Sequence, residues 1–374
     1  MYLVTFVSLS FFKIIFLLFL FGSAKAQIIN GYADVISISG NSLNVSNVDE
    51  AFDTFENNEF IIIMQMQDNC IGSNTTNIAA FGDLSSIQSV GLYEIAQIGS
   101  LSEAAGSPTT IVLTTIPGNV YNVGTNSRVQ IISFRLLGSP NYTTIGNHVA
   151  KVWNGTTGGV LALEVNGTLT LAHNLSANGS GFRGGAVSTN FYSGGTGCTT
   201  TEYIRTADHT RAGAKGEGIY RTAIIDFLYA RGKLLNGGGG GSERINCGGG
   251  GGGNFTAGGL GGVGWSCGGP GGGGTGGLSL FPQISASRIF MGGGGGGGQQ
   301  NDSQGSSGSN GGGIILIKAN AIVTSTTCAG RSISANANTV TSATNDGQGG
   351  GGADGTIVLQ TNGWIVPAGC QLTV

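Results

Sequence analysis

Five uninterrupted glycine runs, at 237–241, 248–253, 271–274, 292–298 and 349–352, constrain this 374-residue chain more than any other feature. Between residues 232 and 313 there are 37 glycines in 82 positions. Glycine loses more conformational entropy on ordering than any other residue, so runs of it commonly serve as flexible linkers. Three features of this region point to an ordered solid instead. Apolar residues, among them Leu260, Trp265, Leu280, Phe281, Phe290 and Met291, punctuate the runs where a linker carries Ser, Glu and Lys. Two cysteines lie twenty residues apart, and the β-like segment GIILIKANAIV follows at 313–323. The expected form is a bundle of polyglycine II-like helices, with three residues per turn and about 3.1 Å of rise, so that seven glycines span roughly 22 Å. Such a helix has no internal hydrogen bonds, and its N–H and C=O groups must pair with neighbouring helices, with Cα–H···O contacts adding a little. The ordering entropy, about 1–2 kcal/mol per residue, has to be offset by that lattice, by apolar caps and by any disulfide. Cys247 with Cys267 is the favoured local pair.

The first 26 residues read as a signal peptide: an apolar run at 14–21 follows Lys13, and Ala24-Lys25-Ala26 supplies small residues before Gln27. An uncleaved anchor needs about 20 apolar residues, and Lys13 interrupts this stretch. No later segment is long and apolar enough to span a bilayer, so the secreted chain is expected to have no transmembrane span. Export gives the cysteines a role. Six of them (Cys70, Cys198, Cys247, Cys267, Cys328 and Cys370) allow three disulfides in an oxidising compartment. None forms Cys-x-x-Cys and no histidine is close by, so bridges are favoured over zinc. Nine Asn-x-Ser/Thr sequons, at Asn44, Asn74, Asn141, Asn154, Asn166, Asn174, Asn178, Asn254 and Asn301, matter only in a eukaryotic secretory route.

The fold class expected is all-β. Residues 27–150 read as an N-terminal β domain of short strands at 35–39, 60–67, 110–116 and 129–137, a small sandwich or barrel-like unit. One short helix is expected at 48–55, with Asn47 as its cap and Asp49 and Glu50 at its N-terminal end. Residues 151–231 read as a β-helix-like transition. There, strands at 160–165 and 168–171 flank Asn166-Gly167, which suits either a tight hairpin or successive rungs of a parallel β-helix. Residues 232–374 form the glycine-rich region, closed by strands at 314–317, 332–337 and 356–360.

Composition removes most chemistry. Charged residues make up 9% of the chain, against about 25% in an ordinary soluble domain. The net charge of −3 becomes −5 when Lys13 and Lys25 leave with the leader, which argues against a nucleic-acid partner. No glycine run ends in the Lys-Ser/Thr of a phosphate loop. His148, His173 and His209 are scattered singly and read as surface or turn residues. The acids Asp49, Glu50, Asp53, Glu56 and Glu59 fit the solvated face of the short helix, and only Glu164 lies within a β-helix-like strand. Asp302, Asp346 and Asp354 lie among glycines but lack a calcium-repeat spacing. Trp153, Trp265, Trp364, Phe182 and Phe290 read as core or cap residues before recognition residues, and Arg183, Arg205, Arg211 and Arg221 as a sparse, locally paired basic stretch. No catalytic, cofactor-binding or metal-ligating set emerges, and no cofactor is expected.

The ordered succession IIIMQMQ, FGDLSSIQSVGLYEIAQI, VWNGTTGGVLALEVNGTLTL, GSGFRGG, KGEGI, LLNGGGGGS, NCGGGGGGNFTAGGLGG and GSNGGGIILIKA resembles the amino-terminal glycine-rich module of large secreted surface proteins of Bacteroidetes-type bacteria. It is more loosely similar to the glycine-rich domain of anaplastic lymphoma kinase receptors and to phage tail-tip adhesins. The resemblance implies an adhesion or structural module, secreted or at the cell surface and without enzymatic activity. Loops such as 299–310 would meet a cell-surface protein or glycan. The alternative is a polysaccharide-active β-helix enzyme, which needs two or three acids or Lys/Arg converging on one strand face. Either reading leaves the binding residues open.

Overall fold

The computed structural model describes residues 26–191, 200–267, 271–324, 330–366 and 372–373. The expected signal peptide therefore lies almost wholly outside the described residues, as do Cys198, Cys328 and Cys370. The architecture is all-β. Among the described residues there is no α-helix, only three single turns of 3-10 helix at His209–Arg211, Ile225–Leu228 and Phe281–Gln283.

Six antiparallel strands, β1 (Tyr32–Ser39), β2 (Ser42–Asp49), β3 (Phe60–Gln67), β4 (Tyr93–Ala104), β5 (Ser107–Leu113) and β6 (Arg128–Ser133), close into a barrel in the order β1-β2-β5-β4-β3-β6. Alternate side chains, such as Val35, Leu43, Ile61, Ile63, Ile98, Ile111 and Ile131, fill its interior. The opposite face of β3 and β6 is buried too, because Ile62, Met64 and Ile132 pack into a second core with Trp153, Phe182, Leu235, Phe290 and Ile314. Hence FIIIMQMQ is apolar almost throughout: both faces of this strand are covered. The helix expected at 48–55 does not form. β2 runs on to Asp49, Asn47 takes a left-handed φ of 49°, and Glu50 Oε1 accepts the Phe55 N–H at 2.8 Å. The acids expected on a solvated helix face instead tie this loop down. Asp49 pairs with Lys151 at 2.6 Å, and Asp53 pairs with Arg135 at 3.1 Å.

Two parallel sheets follow. One has the order β7-β9-β11-β13, from β7 (Tyr142–Thr143), β9 (Val160–Leu171), β11 (Ile314–Thr324) and β13 (Thr356–Ile365). The other stacks β8 (His148–Val149), β10 (Leu175–Ser176), β12 (Arg331–Ser334) and β14 (Leu372–Thr373). Their shared core contains Leu161, Leu163, Leu169, Leu175, Ile315, Ile317 and Ile333. Asn166-Gly167 is not a hairpin turn. β9 runs straight through it in parallel register with β11, and the two residues oppose Asn320 alone as a bulge. Glycine suits position 167, because a Cβ there would sit 2.9 Å from the main-chain oxygen of Pro140.

The glycine-rich segments occupy the long excursion between β10 and β11 and the shorter one between β12 and β13. Residues 292–299 form their axis. Successive N–H groups turn to three different neighbours in rotation: Gly292, Gly295 and Gly298 donate to Gly312, Ser309 and Ser306; Gly293, Gly296 and Gln299 to Gly253, Gly250 and Cys247; Gly294 and Gly297 to Glu217 and Ala214. Three further segments donate to the same axis with the same spacing, for example Gly185 to Gly295, Gly350 to Gly296 and Gly238 to Gly294. All of these bonds are 2.8–3.0 Å long. Glycine is obligatory at this density: a Cβ on Gly295, Gly296, Gly297 or Gly298 would meet a neighbouring carbonyl oxygen at 1.9–2.0 Å.

The cysteines depart from expectation. Cys70 and Cys247 are both buried free thiols, so the Cys247–Cys267 bridge is not made, nor are three disulfides that use all six cysteines. Cys247 sits where the lattice needs it, its carbonyl accepting the Gln299 N–H and its sulfur 3.4 Å from Ser242 Oγ. Among the described residues no helix is long and apolar enough to cross a membrane.

Candidate binding cleft

A concavity of about 500 Å³ opens where the glycine lattice meets the barrel. It lies in the range of small-ligand sites, about 300–1,000 Å³. Arg183, Lys215, Glu217, Tyr220, Arg221 and Tyr229 line it, with Asn154 and Gln67. Two arginines and a lysine thus line a cleft with one carboxylate in a chain that is acidic overall.

Glu217 is the hub of this cleft. Its main-chain N–H donates to Arg183 O and its carbonyl accepts from Gly294, so the lattice fixes its position. Its Oε2 accepts from Arg183 N at 3.2 Å and Arg183 Nε at 2.9 Å. Its Oε1 accepts from Trp153 Nε1 at 3.1 Å and Gln67 Nε2 at 3.3 Å. Hydrogen bonding to Glu217 raises the Arg183 pKa further, so that cation is permanent. The guanidinium lies against Gly155, whose φ is 95° and where a Cβ would meet Arg183 Nη2 at 2.6 Å. Arg221 reaches the Thr125 carbonyl at 2.5 Å, and burial, with Arg128 beside it, pushes its pKa down. Lys215 donates to Tyr203 O at 2.7 Å with its ammonium 3.7 Å from the Phe81 ring centre. Burial drives its pKa down, while the ring face and the carbonyl favour the charged form.

The residues singled out in the sequence are dispersed. Trp153, Phe182 and Phe290 are core, whereas Trp265 and Trp364 are exposed. Of the four arginines only Arg183 and Arg221 reach the cleft; Arg205 pairs with Glu202 and Glu243, and Arg211 with Asp208. His148, expected at the surface, is buried against Tyr142 Oη at 2.9 Å, and burial lowers its pKa. His209 bonds Asp226 and not its neighbour Asp208. The segment 299–310 is not the free loop expected: Gln299, Gln300, Ser306 and Ser309 are buried in the lattice, and the continuous exposed stretch is 302–304. On the parallel sheet, Glu164 and Lys318 meet at 2.7 Å on adjacent strands in line with Gln360, beside a shallower cavity of about 400 Å³. That face therefore gathers one acid and one lysine, already bonded to each other.

Glu217, Gln67, Lys215, Tyr220 and Tyr229 were not foreseeable as a group, since no spacing links them. The one signal was the pair Gln65 and Gln67 ending an otherwise apolar strand. Both are fully buried, and Gln67 bonds Gly218 O at 2.8 Å as well as Glu217. Among the described residues no group of three or more His, Cys, Asp or Glu is gathered for metal binding. No protein-family model matches this chain, and neither a curated protein nor a solved structure matches it.

Proposed function

We propose that the chain is a non-enzymatic adhesion module, secreted or at the cell surface, whose cleft and short loops are presented on a rigid polyglycine II-like scaffold capped by β-helix-like rungs. The observation that carries this reading is the anchoring of Glu217. Its main chain is part of the glycine lattice, and its carboxylate is saturated by Arg183, Trp153 and Gln67. A carboxylate held in this way organises a surface and has no lone pair left to move a proton. The three-residue rotation of hydrogen bonds around 292–299 supports the polyglycine II assignment. The in-register parallel pairing of β9, β11 and β13 supports the β-helix-like one. The leader at 1–26 supports export.

The partner is a cell-surface protein or glycan. Tyrosine rings and planar guanidiniums offer flat contact area and directional donors at small entropic cost, which suits a hydroxyl-rich or anionic ligand. The test is retention of the full chain on a glycan array and on intact cells, with Arg183→Ala and Tyr229→Ala beside it. Retention that both substitutions abolish supports the reading. Unchanged retention by the variants, or release of new reducing ends from a polysaccharide, overturns it.

A further inference from the structure

The exposed tip at 302–304 sits on an arrangement of oxygen atoms that the adhesion reading does not use. Asp346 reaches under this turn, and its Oδ2 accepts the N–H groups of Asn301, Asp302 and Gln304 at 3.2, 3.3 and 3.0 Å. Thr344 closes the opposite side, its N–H donating to Gln304 O at 3.1 Å and its hydroxyl to Gln304 Oε1 at 2.6 Å. Asp346 is 9% exposed, yet its buried Oδ1 meets no donor, and neither does the buried Oδ1 of Asn301. On the adjoining segment Asn246 donates through Nδ2 to Asn345 O at 3.2 Å and leaves its own buried Oδ1 without a donor. Buried acceptors without donors are rare in folded proteins, and several on adjoining segments call for an occupant.

The charges point the same way. The Asp302 carboxyl lies against that of Asp346, and the other group acting on it, the Asn345 amide, brings no positive charge. Two carboxylates in contact need a proton or a cation between them. A shared proton accounts for the carboxyl contact alone and leaves the Asn301 amide oxygen stranded. A cation would serve both carboxylates and the Asn301 amide oxygen, which belongs to a residue whose N–H Asp346 Oδ2 already holds.

We propose that this turn binds one Ca²⁺ ion through Asp346 Oδ1, the Asp302 carboxylate and Asn301 Oδ1. The remaining positions belong to water and main-chain carbonyls. The donor set is all oxygen, which excludes the nitrogen and sulfur preferences of zinc. Two carboxylates with amide oxygens on an irregular turn suit the adaptable shell of Ca²⁺ better than the strict octahedron of Mg²⁺. So few charged ligands place the affinity in the weak range, with Kd about 10⁻⁴–10⁻³ M.

The experiment is isothermal titration of the full chain with CaCl₂ after chelation, alongside Asp302→Asn and, as a control on the barrel, Glu103→Gln. Asp302 is exposed, so its substitution leaves the fold intact. The expected result is one site per chain, unchanged by Glu103→Gln, weakened at least about tenfold by Asp302→Asn and at least about tenfold weaker for MgCl₂. Amide exchange of residues 300–305 slows when the ion binds. No binding up to about 10 mM Ca²⁺, equal binding by Asp302→Asn, or equal affinity for Mg²⁺ overturns the proposal.

Discussion

Replacing Gly296 by alanine adds one methyl group at the centre of the glycine lattice. Its Cβ would lie 1.9 Å from Gly239 O and 2.4 Å from Gly239 C, both main-chain atoms that no rotamer change can remove. Restoring an ordinary contact of 3.4 Å requires the segment around Gly239 to retreat by about 1.5 Å. That retreat breaks the 2.7 Å bond from Gly250 N to Gly239 O and strains those from Gly296 N to Gly250 O and from Gly350 N to Gly296 O, each 2.8 Å. Overpacking costs about 1–3 kcal/mol, and a buried peptide group left unpaired costs about 1–3 kcal/mol more. The expected loss is therefore about 2–6 kcal/mol, a large part of the roughly 5–15 kcal/mol that holds a typical domain. Gly262 is the control: nothing lies within 4 Å of its Cβ direction and its φ is not positive. Alanine there should be neutral or stabilising by about 0.4–1 kcal/mol, through a less disordered unfolded chain. Urea unfolding followed by tryptophan fluorescence reads both. If the two variants unfold within about 1 kcal/mol of each other, the steric argument for the lattice is wrong.

Three other outcomes follow from the same structure. Cys70 and Cys247 should resist maleimide labelling in the native chain and react on unfolding, because burial encloses both thiols and pushes both pKa values up; rapid native labelling at either would contradict their placement. Glu217→Ala leaves Arg183, Trp153 Nε1 and Gln67 Nε2 without their acceptor and should cost about 2–3 kcal/mol in urea unfolding, with Glu217→Gln milder because its amide oxygen still accepts. The hydrogen bond from Lys151 lowers the Asp49 pKa, so Asp49 contributes stability that is present above the unfolded value of about 3.9 and lost as pH falls through the folded one. Asp49→Asn should therefore destabilise the protein at pH 7 and converge with the parent in acid; a pH-independent difference would rule out the linkage.

The strands were legible where one face or both had to be apolar. β3 matches its expected bounds, because eight residues bounded by polar turns leave little choice. The helix at 48–55 was misread for a physical reason: Asp49 and Glu50 do bond to main-chain N–H groups, as capping acids would, but to those of Ala51 and Phe55 in a loop. The choice at Asn166-Gly167 was closed to sequence reading because its partner, β11, lies about 150 residues away across the glycine excursion. The apolar residues between the glycine runs were a mixed signal: Leu280, Ile289, Phe290 and Met291 are core, whereas Leu260, Trp265 and Phe281 are exposed. The cleft was not legible, because its charged members come from segments whose juxtaposition depends on the lattice itself.

Backbone amide hydrogen exchange across residues 232–313 tests the central claim most directly, that these glycines form an ordered, hydrogen-bonded core. The account predicts long-lived protection at 292–298, where every N–H has a main-chain acceptor, and weaker protection at the exposed turn 302–304, where the Asp302 and Gln304 N–H groups bond the Asp346 side chain. Exchange at the rate of an unstructured chain throughout 292–298 would contradict it.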